Sequence, residues 1–148
     1  MVSGTKGRRF ESYRAYQYNI LMARDKYKIF VSPAGFIETH FTGNQTPDSV
    51  IDAVEELVKR AKKLKVRKEL VLVLVDVTDV PKIDISKRMA RAHQQAVKAM
   101  TTADYDRIAV YGNVAVQILV NTLVMIAGKR DKIRVFASRI EALKWLKG

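Results

Sequence analysis

The sequence predicts an α/β fold, a hairpin followed by alternating helices and strands that build a mostly parallel sheet of about five strands with four helices. Three observations predict it. Leu70 to Val75 alternates Leu and Val with no polar residue, so the run from Leu70 to Val77 is too apolar for a half-exposed strand and belongs mid-sheet with both faces covered. Segments of helical period separate the strand-like runs. The crossovers between them are long enough to hold helices, which implies parallel neighbours and right-handed connections.

The elements follow in order. Tyr27 to Val31 and Phe36 to Phe41 are short apolar or aromatic runs joined by the turn-forming Ser32-Pro33-Ala34-Gly35. Thr46-Pro47-Asp48 supplies an N-cap, a first-position proline and an acid in the first turn. Val50, Ile51, Val54, Leu57, Val58, Ala61 and Leu64 then recur at helical spacing, with Asp52, Glu55, Glu56 and Lys59 opposite. After the central strand, Ile85, Met89, Ala92, His93, Ala96 and Met100 mark the inward side of a helix from Lys87 to Met100. Arg107 to Tyr111 is a strand ended by Gly112-Asn113, with Asn113 the N-cap of the next helix. Val114 to Ala127 is a helix whose polar side chains are Gln117, Asn121 and Thr122, which predicts burial on nearly all sides; it is too short to span a bilayer. Lys132 to Phe136 forms the last strand, and Ser138 to Glu141 is a capping box before Ala142, Leu143, Trp145 and Leu146.

In the outer strands Lys132 and Arg134 oppose Ile133 and Val135, and Glu38 and His40 oppose Ile37 and Phe41, so one sheet face is only partly buried. Phe10 to Met22 is rich in aromatic and aliphatic residues without a clean period, and is expected to cover that face or carry a dimer contact. Met1 to Arg9 reads as a loose basic tail lacking the apolar stretch of a signal. The 148 residues otherwise suit one domain, residues 10–148.

The absence of Cys removes disulfides and thiolate chemistry and suits the cytoplasm. A net charge of +12 attracts nucleic acid or an anionic membrane non-specifically. The densest basic run, Lys59 to Lys68, ends a helix, where cations complement the dipole. Aromatics are not interleaved with it, so a single-strand stacking platform is missing.

The order of elements, with Phe41-Thr42-Gly43, Leu74-Val75-Asp76, Arg107-Ile108-Ala109-Val110, and Val135-Phe136 followed by Glu141-Ala142-Leu143-Lys144-Trp145-Leu146, resembles the SpoIIAA-like (STAS-type) domains, related in fold to CRAL-TRIO lipid-binding domains. The resemblance spans roughly Tyr27 to Leu146. It implies a kinase-modified serine at the start of the helix after the Asp-ended strand, which here is Ser86 with Asp84 as its acid. Ile85 and Lys87 replace the first serine and the glycine of the family's Asp-Ser-Ser-Gly setting, and Lys87, Arg88 and Arg91 make the turn basic. As ordinary residues, Ser86 or Asp84 is an N-cap.

Other candidates are sparse. His40 and His93 lack a second ligand at metal spacing, so no metal and no cofactor is expected. His93 is either a hydrogen-bonded core histidine or the lining of a pocket that also takes in Tyr111 and Asn113. Asp76 and Asp79 lack a nucleophile, and bond backbone N–H groups in their turn. Gly128-Lys129 and Gly112-Asn113 are not phosphate or dinucleotide motifs. The expected function is a non-enzymatic regulatory or protein-binding domain switched at Ser86, near Asp84, Asp76, Asp79, Lys87 and Arg88. The alternative is an apolar small-molecule or lipid-binding module, and the third a hydrolase-type enzyme. Its expected partner is a protein or an apolar ligand, with a homo-oligomer as a further expectation.

Overall fold

The computed structural model describes residues 26–67, 70–82, 84, 86–128 and 131–148. The tail and the Phe10 to Met22 segment, with Ile83 and Ile85, lie outside the described residues. The elements are β1 (Tyr27–Val31), β2 (Ile37–Thr42), α1 (Pro47–Arg67), β3 (Leu72–Asp79), α2 (Lys87–Thr102), β4 (Arg107–Gly112), α3 (Val114–Ala127), β5 (Ile133–Phe136) and α4 (Arg139–Lys147). The central strand begins two residues later than the apolar run suggests and continues through Asp79, because backbone pairing with β4 starts at Leu72.

The sheet order is β1-β2-β3-β4-β5. β1 and β2 are antiparallel across a turn closed by Ser32 N donating to Phe36 O at 2.8 Å; each later pair is parallel. Every crossover therefore moves one strand in the same direction, and right-handed connections of that kind place their helices on one face. Strand alternation sends Ile37, Val73, Val75, Val77, Ile108, Val110 and Ile133 to that face, where they form a core with Leu57 and Ala61 of α1 and Val124 of α3. α4 crosses to the other face, where Ala142 and Leu146 pack on Leu74, Ala109 and Tyr111.

The caps match the sequence. Thr46 Oγ1 accepts from Ser49 N at 3.1 Å, Ser86 Oγ from Met89 N at 3.2 Å, Asn113 Oδ1 from Ala115 N at 2.9 Å and Ser138 Oγ from Glu141 N at 3.3 Å. Each satisfies an N–H that the helix itself leaves unpaired.

The helix α3 departs from expectation. Val124 is buried, whereas Val114, Ile118 and Met125 are 68%, 63% and 53% exposed. The reason is position: α3 follows the next-to-last strand of a one-way series, so among the described residues it has a helical neighbour, α2, on one flank only.

Gly112 sits where β4 passes closest to β3, at φ +126°. A Cβ there would lie 2.4 Å from the Thr78 backbone nitrogen. Both strain and collision act on a Gly112→Ala variant, which should lose about 3 kcal/mol or more of unfolding free energy in urea titrations followed by circular dichroism. A loss below about 1 kcal/mol would show that the strands can part there at little cost.

Candidate functional site

Two arrangements stand out, one on each face of the sheet. On the α1–α3 face, α2 rests on α1 and α3 more than on any strand. Beneath it lies a cavity of about 120 Å³. By the same measure one water needs roughly 10–15 Å³, so the space is on the scale of a small organic ligand or chain segment.

Its floor is Thr39, Val75, Val77 and Val110, its roof Met89, His93, Ala96 and Met100, and its side Val116, Val120 and Val124. Gln45, Lys82 and Asp84 supply polar groups to the lining. Thr39 is 1% exposed, and its Oγ1 is buried without a hydrogen-bond partner among the described residues. An unpaired hydroxyl in an apolar wall carries a desolvation cost that a polar atom entering the cavity would relieve.

His93 lines this cavity and has no hydrogen bond among the described residues, which favours its pocket reading over that of a hydrogen-bonded core histidine. Burial pushes its pKa below the ordinary histidine value, and the nearby Asp84 charge opposes that only in part. His93 therefore favours the neutral imidazole there. Tyr111 and Asn113 do not line the cavity: Tyr111 alternates to the α4 face, and Asn113 caps α3 while donating from Nδ2 to Val80 O at 2.8 Å.

At the start of α2, Ser86 is exposed and Asp84 Oδ1 accepts from Ser86 N at 2.8 Å. The Ser86 backbone and side chain hold the Asp84 carboxyl below its ordinary value. Lys87 and Arg88 are exposed beside them. The expected cluster is divided, however. Asp76 points to the opposite face, since it follows Val75 in the strand alternation. Asp79 is exposed at the end of β3, with its carbonyl accepting from Gly43 N at 3.0 Å.

On the α4 face, a row of residues aligned across the sheet holds a polar network. His40, Asp76 and Tyr111 are register partners on β2, β3 and β4. His40 Nε2 lies 3.0 Å from Glu38 Oε2 and its Nδ1 3.1 Å from Asp76 Oδ2. Phe30 stacks on the ring at 5.6 Å between centroids. Arg139, from the first turn of α4, reaches Glu38 Oε1 at 2.6 Å and the Tyr111 hydroxyl at 3.1 Å.

Burial alone would push Glu38 up; the hydrogen bonds and charges of Arg139 and His40 outweigh it, so its pKa falls below the ordinary glutamate value. Asp76 behaves alike, burial being outweighed by bonds from Thr78 and Tyr111 and by the His40 charge. Asp76 Oδ1 also accepts from Thr78 N at 2.8 Å, the turn bond expected of it. Glu38 thus meets both Arg139 and His40, and Asp76 meets His40.

In the sequence His40 stands without a second ligand at metal spacing, so this network is not evident there. Its visible signal is the Glu38-x-His40 alternation on the polar side of β2. Thr39 is not evident either, though it is the polar member of the inward series Ile37, Thr39, Phe41. Among the described residues, no group of three or more His, Cys, Asp or Glu side chains could hold a metal ion, and no helix is long and apolar enough to cross a membrane.

The chain matches no protein-family model and no curated protein. Function is therefore read from the chemistry of these two faces.

The network generates a pH prediction. Carboxyls held below their ordinary values stabilise the fold at neutral pH, and that contribution is lost as pH falls through about 4 toward their folded values. Glu38→Gln should cost about 1–2 kcal/mol at pH 7, the Arg139 end being open to water. Its deficit against the parent should shrink when urea titrations are repeated near pH 3, where the parent has lost part of the same contribution. A deficit that stays constant between the two pH values would remove Glu38 from the acid response.

Proposed function

We propose that this chain is a non-enzymatic binding domain of SpoIIAA-like type, whose ligand is an apolar or amphipathic small molecule held between the sheet and α2. The observation that carries this reading is the buried, unpartnered Thr39 hydroxyl in the wall of an otherwise apolar cavity. Ligand sites of this kind are mostly apolar, with a few placed polar groups that fix orientation. Thr39 supplies one inside, and His93, Lys82 and Asp84 supply others. A chain of methylenes with a carbonyl, carboxyl or hydroxyl group fits that distribution. The hairpin followed by three one-way βα steps supports the SpoIIAA-like assignment and, through it, the relationship to CRAL-TRIO lipid-binding domains.

A second reading, partner regulation through Ser86, is favoured by one observation: the residue is exposed at the α2 N-cap with Lys87 and Arg88 beside it. A phosphoryl group there would meet free helix N–H groups and two cations. It would also stand two residues from Asp84, a lining residue of the cavity, so modification and ligand entry would act on the same turn.

Two measurements test the binding reading. Native mass spectrometry of the purified protein should show a co-purifying small molecule, and a dansylated fatty acid should bind with a blue-shifted emission. Val120→Trp places an indole in the space and should weaken the probe about tenfold or more without lowering the melting temperature. Equal probe binding by parent and variant, or no binding by either, rejects the reading.

Thr39→Val removes the unpaired hydroxyl without changing shape. It should stabilise the ligand-free protein by about 1 kcal/mol in urea titrations, since the buried group loses its desolvation cost. A loss of stability instead would mean that the hydroxyl is paired in the ligand-free chain.

A further inference from the structure

The helix α3 is apolar on two sides. Val116, Val120 and Val124 turn inward to the cavity, while Val114, Ile118 and Met125 stand exposed at spacings of four and seven. Those three lie along one side of the helix. The helix contains no Asp, Glu, Lys or Arg over its 14 residues. In a protein of net charge +12, an uncharged exposed helix is the exception on the surface.

Cations border the start of this helix, and others follow its end in the sequence. The N-termini of α2 and α3 share the carboxyl edge of the parallel strands, and the Asn113–Val80 hydrogen bond ties the start of α3 to the turn after β3. That turn and the start of α2 carry Lys82, Lys87 and Arg88, exposed, against Asp84. Beyond the other end the sequence runs Lys129-Arg130-Asp131-Lys132. An apolar strip with basic residues at each end is complementary to an anionic lipid surface, where the side chains enter the acyl boundary and the cations meet the headgroups. It is not complementary to a second copy, because pairing α3 with α3 would bring two +12 chains, each with these cations, face to face.

We propose that α3 is a membrane-docking face, laying Val114, Ile118 and Met125 on an anionic bilayer without crossing it. The proposal does not depend on what the cavity holds. If both readings hold, the helix that touches lipid is also a wall of the cavity, and a lipid-derived ligand would have a short path between them.

The test uses the full chain in co-sedimentation with vesicles of phosphatidylcholine alone and of phosphatidylcholine with phosphatidylglycerol. The parent should bind the phosphatidylglycerol vesicles and retain part of that binding at physiological salt, where purely electrostatic attraction is largely screened. Ile118→Glu should bind about tenfold or more weakly, the order expected for withdrawing one inserted aliphatic side chain. Ile140→Glu, which alters an exposed residue of α4 instead, should bind as the parent does.

Equal binding by parent and Ile118→Glu, or none by the parent, overturns the proposal. So does a parent that is a dimer by light scattering and becomes monomeric in Ile118→Glu, because a second copy then occupies the face. A marked fall in melting temperature in Ile118→Glu overturns it as well, since the chain's own residues would then cover the strip. The cavity reading fails by a different route, through loss of probe binding, and vesicle binding that persists in Val120→Trp separates the two.

Discussion

A mismatch of spacing governs this structure. Neighbouring strands lie about 4.8 Å apart, whereas packed helices need about 8–10 Å. Each crossover from β2 to β5 advances by one strand in the same direction, so three helices must share a face that supplies only three strand intervals. They cannot all lie flat on it. The outer two, α1 and α3, reach the strands, and α2 rides on them. The space left under α2 is the cavity. Its residues follow from the same constraint, since whatever faces that side from β2, β3 and β4 becomes floor and whatever faces inward from α2 becomes roof.

The opposite face has the reverse problem, with one nine-residue helix to cover it among the described residues. α4 buries Ala142 and Leu146 against the sheet, which is a small contact, and polar bonds fix both of its ends. Arg139 holds the first turn to Glu38 and Tyr111, and Arg107 donates to Trp145 O at 2.9 Å near the last. Arg107 and Arg134 each stand 5.6 Å from the Trp145 ring. The His40 ring then joins Glu38 to Asp76 and carries the network across the sheet. Such groups are costly to bury singly and tolerable as a closed set, so their arrangement is accounted for by the seating of α4 without invoking a reaction.

What was legible in the sequence is what local periodicity encodes. The uninterrupted apolar run fixed a central strand, and Thr46, Ser86, Asn113 and Ser138 marked helix starts because capping depends on neighbours within three residues. The exposure of α3 was not legible: its composition describes a buried helix, and its place at the end of a row leaves a flank open among the described residues. The polar network was not legible either, because it joins Glu38 to Arg139 across 101 positions. Parity could have divided Asp76 from Asp84, since strand alternation turns Asp76 away from the face on which Val75 and Val77 lie.

The cavity has an energetic consequence that bears on its use. At about 24 cal/mol per Å³, filling a space of 120 Å³ is worth at most on the order of 3 kcal/mol of packing, a large share of the stability of a domain this size. Replacing Ala96 or Ala53 by a larger apolar residue would close it, since both line the space. The chain instead keeps small residues there and adds an unpaired hydroxyl at Thr39, which costs more. A ligand present at a hundred times its Kd contributes about 2.7 kcal/mol to the folded state. That is the same size as the packing forgone. On the proposed binding reading, an occupant of modest affinity would offset what the stacking of α2 on its neighbours gives up.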